Sequence, residues 1–197
     1  SGVQVEADSL KDGDRIKLIL NEGSKSTAIK EIHIEDDRFL ISNVYKGTLS
    51  YIDFISDKLV LRNLEVLENG DWRLVDQKGF TGIQITGDCR IFHAGRPISR
   101  DQANKDLKGF EAYVAVRKGY GGIENAVVVS FRNSKNSEII YDDLIAGVGE
   151  KEVRLMNTSN NLAINNGSIL IKNGRLVFPG SINSMDVAYV VANRALV

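Results

Sequence analysis

A chain of 197 residues with 43% apolar and 26% charged side chains can bury one large core or two small ones. Its 25 basic and 26 acidic residues leave a formal net charge of −1, with both signs interspersed, which excludes a general attraction to nucleic acid or to an anionic membrane. A single cysteine, Cys89, excludes an intrachain disulfide and a cysteine-based zinc site. The apolar runs fall short of the ~20 residues a membrane helix needs, so no membrane insertion is expected.

In chain order, the N-terminal segment reads as strands and turns. Val3 and Val5 alternate, Lys11-Asp12-Gly13-Asp14 is a turn, and Arg15 to Leu20 alternates again. Asn21-Glu22-Gly23-Ser24 turns the chain into a strand carrying Ile32 and Ile34, and Leu40, Ile41 and Val44 continue the pattern. The spacing of two excludes a helix here. Ser1-Gly2 reads as a cleavage scar and no signal-peptide pattern follows it, so the segment is expected to be an excised fragment.

The middle stretch opens with a strand around Gly47 to Phe54, turns at Ser56-Asp57, and pairs back through Lys58 to Leu61. Leu64 to Leu67 and Trp72 to Val75 flank Asn69-Gly70, the clearest hairpin signal in the chain. Two short strands are expected next, one at Ile83 and Ile85, the other from Cys89 to Phe92. A short helix is expected near Arg100 to Asp106, then a strand from Ala112 to Val116. A glycine turn at Gly119-Tyr120-Gly121-Gly122 leads into a strand from Ala126 to Phe131. The polar stretch Asn133-Ser134-Lys135-Asn136-Ser137 marks a boundary. Beyond it lie strands at Ile139 to Tyr141, Val153 to Met156, Leu162 to Ile164, Ser168 to Ile171 and Val187 to Val191.

These elements repeat. Ser168 to Arg175 lies over Cys89 to Arg96, both ending in Gly-Arg, and residues 182–191 lie over residues 107–116. In that alignment Asp186 matches Glu111, and Met185 departs from a glycine. Leu10-Lys11-Asp12-Gly13-Asp14-Arg15-Ile16-Lys17-Leu18 is a third copy of the last element. A repeat of short strands with tight turns predicts an all-β chain of tandem small β-barrels, or barrel-like sandwiches. The expected divisions are residues 1–44, 45–132 and 137–197, with the first segment completing a barrel with the last.

The order of opening strand, hairpin, strand ending in Gly-Arg, and Leu-Lys-Asp-Gly-Asp-Arg-Ile-Lys-Leu resembles the small β-barrel modules that accompany S-layer homology domains in surface proteins of Gram-positive bacteria. The resemblance implies a non-catalytic spacer of a bacterial cell-surface protein, extracellular at the cell wall, with other modules of a longer protein as its partners. It carries over no catalytic residues. The alternative is a module that binds cell-wall polysaccharide.

The residues themselves favour no catalytic constellation. His33 and His93 stand far apart without a neighbouring Cys or His, as ordinary strand residues do. Asp12, Asp14, Asp36 and Asp37, like Asp142-Asp143 and Glu150 to Glu152, suit satisfied turns better than a calcium loop, which needs further ligands. The 119–122 glycines lack the Lys-Ser/Thr of a phosphate loop. Cys89 suits a small buried strand position. No enzyme, cofactor or metal is therefore expected. Trp72 and Tyr120 are the ligand-binding candidates, because an exposed ring near a hairpin tip can stack on a sugar, although core packing is the simpler role for Trp72. Replacing Cys89 with Ser and both histidines with Gln should leave the biological role intact, and loss of that role in the triple variant would reinstate an enzyme.

Overall fold

The computed structural model describes residues 15–20, 29–35, 40–75, 81–119, 122–132, 137–158 and 161–194. Strands β1 (Arg15–Leu20) and β2 (Ile29–Glu35) form an antiparallel pair. A central unit follows: β3 (Asn43–Asp53), β4 (Lys58–Glu68), β5 (Asp71–Leu74), β6 (Thr81–His93), β7 (Arg96–Pro97), helix α1 (Arg100–Asp106), β8 (Glu111–Lys118) and β9 (Glu124–Arg132). The last unit comprises β10 (Ser137–Val148), β11 (Glu152–Leu155), β12 (Asn161–Ala163), β13 (Ile171–Lys172), β14 (Arg175–Leu176) and β15 (Val187–Arg194). A single 3-10 turn at Pro179–Ser181 precedes β15. The fold is all-β and barrel-like, as expected.

In the central unit β3, β4 and β6 are successive antiparallel neighbours, and β8 returns to lie beside β3. That order is a Greek key. β9 then fills the gap between β6 and β8, parallel to the first and antiparallel to the second, and the five strands close on themselves. Closure leaves these five without a free edge along the ring. Bulges between Lys46/Thr48 and Leu49/Tyr51 bend β3 enough for this. Gly47 sits at the first, where a Cβ would stand 3.2 Å from both the Arg62 carbonyl oxygen and Leu61 Cβ.

Alternation supplies the filling. Leu49, Leu59, Leu61, Ile85, Val114, Val116 and Val129 are wholly buried inside the ring. Helix α1 packs Ala103 and Leu107 into the same core. It begins at Ser99, whose side chain accepts from the Gln102 N–H while Gln102 accepts from the Ser99 N–H, a reciprocal cap. Arg100 ties the helix to the β3–β4 turn through Asp57 (2.8 Å) and to β6 through the Thr86 carbonyl (2.6 Å).

Two strands expected at residues 83–85 and 89–92 are one, β6. It has a pronounced irregularity against β9, which passes from Ile85↔Ala126 directly to Arg90↔Val128. Gly87, between the two expected strands, lies within that irregular stretch and does not end the strand.

The last unit copies the central one at the level of backbone register. Leu49↔Leu61, Tyr51↔Val60 and Ile52↔Leu59 are matched by Ile145↔Leu155, Gly147↔Arg154 and Val148↔Val153, with the bulge at the same place. Leu59↔Ile83 and Lys58↔Gln84 recur as Val153↔Leu162 and Glu152↔Ala163. The Ala94-Gly95 turn, both residues at positive φ, recurs as Asn173-Gly174, and the Ile98 N–H to Ile91 carbonyl bond recurs as Val177 to Leu170. The hairpin β1–β2 likewise copies β8–β9: Arg15↔Glu35 stands for Glu111↔Arg132. The skip between Ile19 and Leu20 stands for that between Ala115 and Val116.

One alignment shifts by a residue. The Leu49 N–H bonds the Phe110 carbonyl and the Gly109 N–H bonds the Leu49 carbonyl. In the last unit Ile145 does the same with Asp186 and Met185. Asp186 therefore occupies the position of Phe110, and Glu111 corresponds to Val187, not to Asp186 as the apolar spacing suggests. The turn preceding the strand sets this register. Gly109 at φ +84° and Met185 at φ +72° share the left-handed conformation, which the side chain of Met185 disguises.

The units touch. The Ile41 N–H bonds the Gly174 carbonyl (2.6 Å), and Leu40 bridges to Arg175. A Cβ at Gly167 would stand 3.0 Å from Phe92 Cβ. β1 and β2 pair with each other, and among the described residues no ladder joins them to the last unit.

The shared left-handed position gives a test. A Cβ at Gly109 would meet nothing within 4 Å, so Gly109→Ala should cost about 1 kcal/mol from backbone strain alone. Met185→Gly should relieve the same strain and raise the stability of the last unit. Urea denaturation of both variants reads the opposed signs, and equal signs would contradict the equivalence.

Candidate functional site

A groove of about 400 Å³ opens over β4 and β6. Tyr45, Leu64 and Ile83 form its buried floor, and Lys58, Val75 and Ile123 stand exposed on its rim. β3 supplies Tyr45 and the β8–β9 connection supplies Ile123, so ring closure assembles the groove from strands distant in sequence. Gly82 helps keep it open, since a Cβ there would stand 3.0 Å from the Lys58 side chain.

One wall is polar. The Tyr45 hydroxyl donates to Glu124 Oε2 at 2.6 Å, and Asn43 Nδ2 donates to Glu124 Oε1 at 2.6 Å. Burial, then the Glu124 carboxylate, pushes the Tyr45 phenol well above its ordinary range. Such a phenol stays protonated at neutral pH, so this wall presents a phenol hydroxyl held on a carboxylate. Opposite it, Gln84 Nε2 donates to the Ser56 carbonyl (3.2 Å), which anchors the β3–β4 turn.

Trp72 lies outside the core, half-buried on β5. Its ring meets Tyr113 at 5.8 Å, and the Lys46 ammonium stands 4.6 Å from its centroid. Lys46 also pairs with Glu65 (2.7 Å), and Arg132 lies 5.1 Å over Tyr113 while pairing with Glu111 (2.5 Å). The ladder Trp72–Lys46–Tyr113–Arg132 thus crosses the outside of the sheet from β5 to β9, each cation meeting an aromatic face. Sequence reasoning offered Trp72 a core or a ligand and missed this third role, because Lys46 and Trp72 come together only through β4. Tyr120 lies outside the described residues. The flanking Gly119 N–H bonds the Ile123 carbonyl (2.7 Å), as a turn joining β8 to β9 requires.

The remaining candidates are dispersed. His93 meets the edge of Phe110 at 5.5 Å. Cys89 packs against the core, and burial pushes its thiol up to about 12, which leaves little thiolate at neutral pH. Asp143 is buried and accepts from the Leu144 N–H, the Asn157 N–H and Asn157 Nδ2, a satisfied turn. Asp12, Asp14, Asp36 and Asp37 lie outside the described residues, and no side-chain geometry is described for His33. Among the described residues no three metal-ligating side chains converge.

A second cleft, of about 410 Å³, runs between the units and is lined by Arg90, Arg117 and Arg175 with Asp88. Arg117 pairs with Asp88 at 2.7 Å. The Thr86 hydroxyl, bonding Asp88, holds that carboxyl below its usual range, and Arg117 adds to the effect.

A five-stranded Greek-key barrel with a groove over its second and third strands is the architecture of the oligonucleotide- and oligosaccharide-binding fold. No family model, no curated protein and no solved structure matches the chain.

The Tyr45 phenol sets a pH dependence. Its folded-state value lies above the unfolded one, so its contribution is complete below about pH 10 and is lost as pH climbs beyond that. Urea denaturation followed by Trp72 fluorescence between pH 8 and 11 should show stability falling in the parent and a flatter profile in Tyr45→Phe. Parallel profiles would remove the coupling.

Proposed function

We propose that this chain is a non-catalytic structural spacer of a bacterial cell-surface protein, built from tandem small β-barrels. The observation that supports this reading best is the recurrence of ladder registers and bulges between β3–β8 and β10–β15, and between β8–β9 and β1–β2. Repetition that preserves bulges preserves barrel geometry, which a spacer needs, while the side chains outside the core have diverged. Surface location rests on the resemblance of the repeat to modules that accompany S-layer homology domains.

A spacer should yield barrel by barrel. Single-molecule extension of the chain should give a discrete event for the central unit with a contour gain of about 30 nm, at ~3.5 Å per residue. On cells carrying the gene, a membrane-impermeant amine reagent should label the protein. Gradual extension without an event would defeat the mechanical role, and failure to label would defeat the surface assignment.

A second reading, binding of cell-wall polysaccharide, is favoured by the groove over β4 and β6 with its fixed Tyr45–Glu124 pair and the Gln84 amide. It predicts calorimetric binding of soluble wall glycan that Gln84→Ala weakens about tenfold. Nucleic acid is a poor ligand for the groove, which is lined by one lysine, Lys58, and one glutamate, Glu124, in a chain that is near neutral.

A further inference from the structure

The second cleft lies where the last unit rests on the outside of the central barrel. Phe92 and Val128 are buried there without belonging to the barrel core, and a Cβ at Gly167 would stand 3.3 Å from the Ser130 hydroxyl oxygen. Beside that contact β9 slips against both of its neighbours at one residue. Its ladder with β8 passes from Val116↔Ala126 to Ala115↔Val128, and its ladder with β6 from Ile85↔Ala126 to Arg90↔Val128. Val127 is left over in both. Bulges re-aim the side chains around them. Here Asp88 and Arg90 of β6 and Arg117 of β8 line the cleft together with Val127, and the last unit adds Arg175 and Leu176 from β14.

The charges in this cleft do not balance. Asp88 is the one carboxylate among the lining residues, and it is held by Arg117 at 2.7 Å and by the Thr86 hydroxyl. The side chains of Arg90 and Arg175 are exposed, and they make no ion pair or hydrogen bond with another described residue. Three guanidiniums against one carboxylate leave two positive charges around a space of about 410 Å³. A guanidinium stays charged and presents a planar fork of donors that fits the oxygens of a carboxylate or a phosphate. A carboxylate brings a single charge, whereas a phosphate monoester brings about −1.5 to −2 at pH 7 and matches the surplus. The space is also larger than a bare phosphate ion, and Ile41, Val127 and Leu176 give it an aliphatic wall. Among the described residues no aromatic ring lines it, so a nucleobase would find nothing to stack on.

We propose that this cleft binds a phosphate monoester of a small aliphatic alcohol, its phosphate held by Arg90, Arg175 and Arg117 and its organic part lying against Ile41, Val127 and Leu176. The site goes beyond the spacer reading and does not depend on it. Arg90 and Arg117 belong to the central unit and Arg175 to the last. A bound ester therefore fastens one unit to the other beside the bond from the Ile41 N–H to the Gly174 carbonyl.

Calorimetric titration of the full chain with butyl phosphate, at constant ionic strength and pH 7.5, should show one saturable site. Inorganic phosphate, which lacks the tail, and butyrate, which has one charge, should each bind at least about tenfold more weakly. Arg90→Gln and Arg175→Gln remove no described partner and should each weaken butyl phosphate about tenfold, the loss of a charge-assisted hydrogen bond. Arg73→Gln, which removes an exposed arginine on β5, should leave binding unchanged. Saturating butyl phosphate should also slow hydrogen exchange of the Ile41 N–H at least about tenfold, because opening the joint then requires release of the ester. Absence of a saturable site, or binding that both glutamine variants leave intact, would overturn the proposal. Inorganic phosphate binding as tightly as the ester would reduce the site to an adventitious ion only, and butyrate binding as tightly would overturn the charge match. Unchanged exchange at Ile41 would place the ester on one unit alone and overturn the bridging site.

Discussion

The central unit depends on one pairing, the insertion of β9 between β6 and β8. Without it the sheet has two long unpaired edges, each a row of backbone groups that must find water or another chain. With it the core is enclosed by strands on every side and α1 covers one end. The parallel contact of β6 with β9 is the costly part, because the two strands run in the same direction and α1 with β8 must be routed between them. The reciprocal cap at Ser99 and the Arg100 tie to the β3–β4 turn hold that connection against the barrel. The groove over β4 and β6 is a product of the same closure, since its rim joins residues from both sides of the connection.

Comparison of the copies separates what the barrel needs from what it tolerates. The bulge beside Leu49 and Ile145, the turn at residues 94–95 and 173–174, and the left-handed residue before β8 and β15 are all kept. Helix α1 shrinks to a single 3-10 turn at Pro179. Backbone devices that bend or reverse strands persist, whereas the plug at the end of the barrel is dispensable.

Much of this was legible in the sequence for definite reasons. Turns announce themselves chemically, so Asn69-Gly70 and the paired Gly-Arg turns placed strands and revealed the repeat. Alternation of apolar residues excluded helices outside α1. Bulges have no such signature. The irregularity of β6 looked like a break between two strands, and a methionine in a left-handed position concealed the register of β15 by one residue. The site was hardly legible at all. Tyr45, Glu124 and Asn43 meet across strands far apart in sequence, and the role of Trp72 depends on Lys46 arriving from a neighbouring strand. His93 and Cys89 drew attention for their chemistry, yet their surroundings give them structural partners.

His93 and Phe110, an aromatic edge contact in the central unit, occupy the positions of Lys172 and Asp186 in the last unit, where they form an ion pair of 2.7 Å. The same two points on the same scaffold are thus joined by forces that answer to different solvents. Dissolved salt screens a partly exposed ion pair and leaves ring packing nearly untouched. In brine the last unit loses part of a fastening that the central unit keeps, so two units that share strand registers differ in what weakens them. The difference lies in side chains alone, on strand and turn registers that the two units share.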